Sequence, residues 1–150
     1  MRKQQKGFVL IGMAVGMLLL LATLGMAFDF GRIYIARNEA QVFTDAAALT
    51  AALKLDGTSS GLDNARQAVK RLPNRWNMGT AQFTGIVVEF SADGKTWTAK
   101  PGSPSLLAYA RVTAPANDVD VTFLRAVGGP ESFTVPAHSV AAINPVRLTE

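Results

Sequence analysis

GFVLIGMAVGMLLLLATLGMAFDFGRIYIARNEAQ, Gly7 to Gln41, decides how this 150-residue chain is read. It begins as an apolar run and passes without a break into a water-compatible helix. Phe8 to Phe28 holds no charged residue over 21 positions. At ~1.5 Å per residue the run spans ~31 Å, close to the ~30 Å hydrocarbon thickness of a bilayer. A buried core helix rarely stays uncharged for so long, so the run predicts a transmembrane helix. Arg2, Lys3 and Lys6 precede it, while Arg32 and Arg37 follow. That bias predicts a cytoplasmic N-terminus, with the bulk of the chain outside the cytoplasm.

A cleavable secretory signal is the rival reading. Its small-x-small site would be Gly25-Met26-Ala27, releasing a secreted binding module that starts at Phe28. Against it, the apolar stretch exceeds the usual ~7–15-residue signal core. Gly12-xxx-Gly16 is also a small-xxx-small pattern that lets two membrane helices approach closely.

Helical character persists beyond the span. Asp29 to Leu55 contains no proline, and Gly31 is its only glycine. Ala, Arg, Gln, Glu and Leu, all good helix formers, dominate the segment. Phe28, Ile35, Val42 and Leu49 recur every seven residues, with Ala46 and Leu53 at the offset of four. This is one apolar seam, interrupted by Glu39. Asp56-Gly57 offers a stop. One helix from about Gly7 to Leu55 would be ~73 Å long, too long to be covered by so small a domain, and so in need of partners.

The remainder reads as a separate texture. Ser60-x-x-Asp63 is expected to cap a helix through ARQAVKRL that stops at Pro73. Arg66, Lys70, Arg71 and Arg75 cluster there, as cations favoured near a helix C-terminus. GIVVEFSADGKTWTA reads as two strands joined at Asp93-Gly94. LLAYARVTA reads as a strand, VDVTFLRAVGG as a strand or a short helix, and SFTVPAHSVAAI as a last strand with Pro136 at an edge or bulge. The fold class is α+β: a long N-terminal helix, a short helix and a small antiparallel sheet. Four segments follow: a basic tip (1–7), a transmembrane helix (8–28), a helical stem (29–56) and an exported α+β domain (57–150).

Composition narrows the chemistry. The net charge is +4, but without the three cations of the tip 12 Lys/Arg face 11 Asp/Glu, which gives no argument for nucleic acid. There is no cysteine, which excludes disulfides, thiol chemistry and Cys-based metal sites. His138 is the one histidine, and its neighbour Ser139 points to the opposite face of a strand, so no Ser-His dyad forms from the pair. Asp118 and Asp120 share a strand face but fall short of the six to eight oxygens Ca²⁺ usually takes. No phosphate-cradling motif occurs. The reading is a non-enzymatic protein without cofactor, metal or small-molecule substrate.

DFGRIYIARNEAQVFTDAAALTAAL, Asp29 to Leu53, resembles the N-terminal module of the tight-adherence (Tad/Flp) pilus-assembly proteins, with their TadE- and TadG-like members. The matching positions are Asp29, Gly31, Arg32, Tyr34, Arg37, Asn38 and Gln41, then Asp45, Ala46, Ala47, Ala48 and Leu49. The resemblance implies a membrane-anchored pilus-assembly or minor pilin-like component of the inner membrane. Its partners would be other pilus proteins, met through the N-terminal helix, and it would sit at the base of a pilus or in the filament. KGFVLIG also looks like a prepilin site cut between Gly7 and Phe8, which would make a filament-forming subunit. Gly12 stands where pilins usually carry Glu, a departure that fits an uncleaved anchor better. Gly12 and Gly16 are the expected contacts inside the membrane, and Ile35, Val42 and Leu49 those outside it. Asp29 and Arg32 share a helix face at the boundary, either marking where the hydrocarbon ends or pairing between neighbouring helices.

Overall fold

The computed structural model describes residues 5–77, 79–115 and 117–143. Arg2 and Lys3 of the basic tip lie outside the described residues. Helix α1 runs without interruption over Gln5–Ala52, 48 residues or ~72 Å. Past Ala52 the chain tightens: Lys54 N donates to Ala51 O and Leu55 N to Ala52 O. Gly57, at φ +79°, then turns the chain as expected. The stop thus comes within a turn of the predicted one.

Two faces of α1 have different fates. Ala36, Ala40, Ala47, Ala48, Ala51 and Ala52 are at most 1% exposed, with Phe43 among them. Side chains this small let a sheet approach the helix backbone closely, and the central sheet and helix α2 do so. Phe43 supplies bulk where the alanines do not, stacking on Phe83 at 4.8 Å, which stacks in turn on Trp76 at 5.5 Å. The predicted seam is the other face. Ile35, Val42, Leu49 and Leu53 remain 41–68% exposed, so the apolar period read from the sequence is not the face that meets the domain.

Helix α2, Ser59–Arg71, lays Leu62, Ala65 and Val69 into the core. Its cap is Thr58, not Ser60: the Thr58 hydroxyl accepts from Gly61 N at 3.0 Å and donates to Asp56 Oδ1 at 2.6 Å. Thr58 wins because Asp56 holds its hydroxyl in place, and a Cβ at Gly61 would lie 2.1 Å from that carboxylate, so only glycine admits this arrangement. The basic cluster is partly tied down. Arg66 pairs with Asp63 at 3.0 Å and donates to Ala99 O at 2.7 Å.

Strands β1 (Arg75–Trp76) and β2 (Ala81–Gln82) form a two-residue ladder that no periodicity announced. The central antiparallel sheet has the order β3–β4–β7, from β3 (Val87–Ser91), β4 (Tyr109–Ala114) and β7 (Ala137–Ala142). Strand β4 alternates strictly, turning Ala110, Val112 and Ala114 to the core. The expected hairpin at Asp93-Gly94 is corrected. The turn exists, with Gly94 at φ +70°, but the return arm makes a single bridge, Phe90 to Thr98, while β3 pairs over five positions with β4. The Asp93 carboxylate explains this. It takes the amides of Thr96 and Lys95, which holds its carboxyl far below the usual range and coils the chain away from a ladder. Side chains hold the arm instead, with Arg111 4.5 Å from the Trp97 ring centroid.

VDVTFLRAVGG resolves into both of its alternatives, strand β5 (Asp118–Asp120) and the one-turn helix α3 (Phe123–Ala126). SFTVPAHSVAAI is two strands rather than one. Before Pro136, β6 (Ser132–Thr134) pairs with β5; after it, β7 joins the central sheet. Proline's missing donor sits at the changeover.

The alanine face predicts an asymmetric mutational response. Ala47→Leu forces a larger side chain against the sheet and should cost ~1–3 kcal/mol in denaturant unfolding of the full chain in detergent. Val42→Ala, on the exposed seam, should change stability by no more than ~0.5 kcal/mol.

Candidate assembly surface along the first helix

The residues from Asp29 to Leu49 divide by helix face into those that fasten α1 to its own domain and those that point away. Asp29 belongs to the first group. Its side chain is fully buried, and its carboxylate accepts three backbone N–H bonds from the start of α3: Thr122 at 3.1 Å, Phe123 at 2.7 Å and Leu124 at 2.7 Å. Both oxygens are engaged inside the chain. Burial works to raise its pKa. The amides of Leu124, Thr122 and Phe123, with Arg32 beside them, outweigh burial and hold the carboxyl below its usual range.

Further along, α1 is fastened to the domain a second time, by side chains about 120–160° round the helix from Asp29. Gln41 Nε2 donates to Asp45 Oδ1 and to Ser139 Oγ, each at 2.9 Å. The hydroxyls of Thr44 and Ser139 lie 2.9 Å apart, and Ser139 also donates to Asp45. Ala47 and Ala48 complete the contact by leaving room for the sheet. Ser139 is thus spent on α1, while His138 is exposed on the opposite face of β7, as the strand alternation requires. Among the described residues, no group of three or more His, Cys, Asp or Glu side chains could hold a metal ion.

Gly31, Tyr34, Arg37, Asn38, Ala46 and Leu49 point outward, Tyr34 with 67% of its surface exposed. Among the outward residues, Leu49 continues the exposed apolar ridge of Phe28, Ile35 and Val42. Glu39, which broke the seam in the sequence, is turned aside to accept from Asn77 N at 2.5 Å. An open groove of about 460 Å³ runs beside the ridge, lined by Phe28, Gly31, Arg32, Ile35, Asn77 and Thr80. Along the charge-free run, Phe8 is 81% exposed, and a Cβ added at Gly12 or Gly16, or at Gly7 just before the run, would meet nothing within 4 Å. Gly25 differs, because a Cβ there would lie 2.6 Å from the Phe123 ring.

The sequence singled out Asp29, Gln41 and Asp45 without finding what they hold. The i, i+4 spacing of Gln41 and Asp45 is a local signal for their mutual bond. No local signal links Asp29 to a helix more than ninety residues away.

Asp29→Asn replaces one of the two accepting oxygens with a donor, so at least one of the three amides loses its partner. Hydrogen exchange at Thr122, Phe123 and Leu124 should accelerate at neutral pH, with the β4 amides unchanged. In the unaltered chain the carboxyl's folded pKa is depressed. Its contribution is therefore fully present above the unfolded value of ~3.9 and is lost as the pH falls through the lower folded value. Local opening of α3 should appear only in that acid range. Exchange that is the same in both chains would contradict the clamp.

Among known proteins, no curated protein and no solved structure matches this chain. A protein-family model does match, over residues 7–54, and its family is described as Flp pilus-assembly TadE/G-like. The matched segment takes in the exposed span, the Asp29 clamp, the ridge and the alanine face, and leaves the sheet outside it. Over residues 7–54, which take in nearly all of its N-terminal helix, this chain is similar to the TadE/G-like family of Flp pilus assembly.

Proposed function

We propose that this protein is a membrane-anchored, minor pilin-like assembly component of a tight-adherence (Flp) pilus, acting through helix packing and protein–protein contacts. The family match supports a role in pilus assembly. The single observation that carries the finer reading is the two-sided use of α1. One face is consumed by the chain's own sheet, and the opposite ridge of Phe28, Ile35, Val42, Leu49 and Leu53 stays 41–68% exposed. Apolar ridges of this length on a helix are the shape that a partner helix fits.

The bare half of α1 supports anchoring. It is long and apolar enough to cross a membrane, and none of its most apolar window is covered by the rest of the chain. The N-terminus would face the cytoplasm and the sheet domain the outside of the inner membrane. Release after Ala27 would remove Gly25, the seat of Phe123, which speaks for an uncut helix.

Two different neighbours are implied. At 100° per residue, Gly16 lies about 100° round the helix from Ile35. The glycine pair and the ridge are therefore not one stripe, and a helix packed on Gly12 and Gly16 would not continue along Ile35 and Val42. Val42→Arg should abolish co-purification with other pilus components and piliation while leaving the fold intact. Gly16→Leu should weaken assembly and spare membrane insertion, since it blocks close approach without removing hydrophobicity. Normal piliation and adhesion in a clean deletion strain would overturn the assignment.

A further inference from the structure

We infer that α3 and its flanking turn form an interfacial foot, which rests in the lipid headgroup and upper acyl region of the bilayer where α1 emerges. The inference builds on the anchored reading above. It commits to lipid as the occupant because the fold fixes the depth of this segment. Phe123 is seated on Gly25, so closely that a Cβ there would lie 2.6 Å from its ring. It also meets Phe28 edge-on, with ring centroids 5.9 Å apart. Gly25 and Phe28 both belong to the charge-free run. If that run lies in hydrocarbon, the foot cannot lie far above its edge, since Gly25 is only ~6 Å along the axis from Asp29.

The foot carries the side chains such a place requires. Phe123 is 43% exposed and Val127 56%, an apolar surface that no other element of the described chain covers. Arg125 pairs with Glu131 at 3.0 Å on the exposed side, where a cation reaches headgroups. Its backbone is also closed. Backbone groups near hydrocarbon must be satisfied within the protein. Asp29 takes the three leading N–H groups, and at the other end Gly129 N donates to Leu124 O at 2.8 Å and Gly128 N to Arg125 O at 3.1 Å. Gly128, at φ +87°, makes that closure possible.

The chain has no cysteine, so a single introduced thiol labels one position. Leu19→Cys, Val127→Cys and Lys95→Cys, each on the full chain, would be spin-labelled and reconstituted in phosphatidylcholine–phosphatidylglycerol bilayers. Collision rates with oxygen, which partitions into lipid, and with a water-soluble nickel chelate then report depth. The Leu19 label should collide severalfold more with oxygen than with the chelate, and the Lys95 label the reverse. The Val127 label should fall between them, shifted clearly toward oxygen relative to Lys95. A Val127 label as aqueous as Lys95, with Leu19 in lipid, would overturn the foot and leave the anchor standing. A Val127 label shielded from both reagents would overturn it in favour of a protein cover. A Leu19 label outside lipid would overturn the anchor and the foot together.

Discussion

A single helix here is bare over one half and clad by a sheet over the other, and the side chains that permit the second are alanines. Over its first half α1 carries large apolar residues on all sides, with 18 of its residues forming a window left wholly uncovered. Over its second half the face toward the sheet narrows to Ala36, Ala40, Ala47, Ala48, Ala51 and Ala52. Larger residues there would hold the sheet off, and the domain would lose its spine. Because the alanines give area without bulk, specificity falls to other contacts: the Phe43–Phe83–Trp76 stack and the Gln41–Thr44–Asp45–Ser139 polar cluster. That cluster fixes β7 on the helix, and β7 fixes β4 and then β3 by antiparallel register.

Asp29 is the other fixed point, placed directly after the charge-free run. A buried carboxylate costs a great deal unless it is hydrogen-bonded, and three amides supply those bonds. The consequence is mechanical. The loop between the two halves of the C-terminal sheet segment is stitched to the helix at the end of the charge-free run, so the domain has one height relative to the span. The ridge of Ile35, Val42 and Leu49 stays exposed.

Much of this was legible, and the pattern of what was not is instructive. The unbroken helix could be read from the absence of proline and the charge-free run, because helix continuity is a local property. Its stop could be read from Asp56-Gly57. The apolar period of seven was real, but it marked the face that stays open; the core face was hidden because alanine carries little hydrophobic signal. Thr58 displaced Ser60 as cap because Asp56 and Gly61 form one interlocked turn, which depends on a close approach and not on residue type alone. The Asp93-Gly94 turn was correct and its hairpin was not, since Asp93 spends the amides that a ladder would need. At the site, Gln41 and Asp45 were named but their bonds to Ser139 were not, and the role of Asp29 rests on a contact more than ninety residues away.

The central claim is that α1 is one rigid rod, bare at one end and clad at the other. Met13 and Leu49 are both exposed and lie ten turns apart on the same side of the helix. Spin labels at Met13→Cys and Leu49→Cys, in the full chain within a bilayer, allow their separation to be measured by pulsed dipolar spectroscopy. A single narrow distribution near ~54 Å is the predicted result. A broad or markedly shorter distribution would place a hinge near Gly25 or Gly31 and contradict the rod.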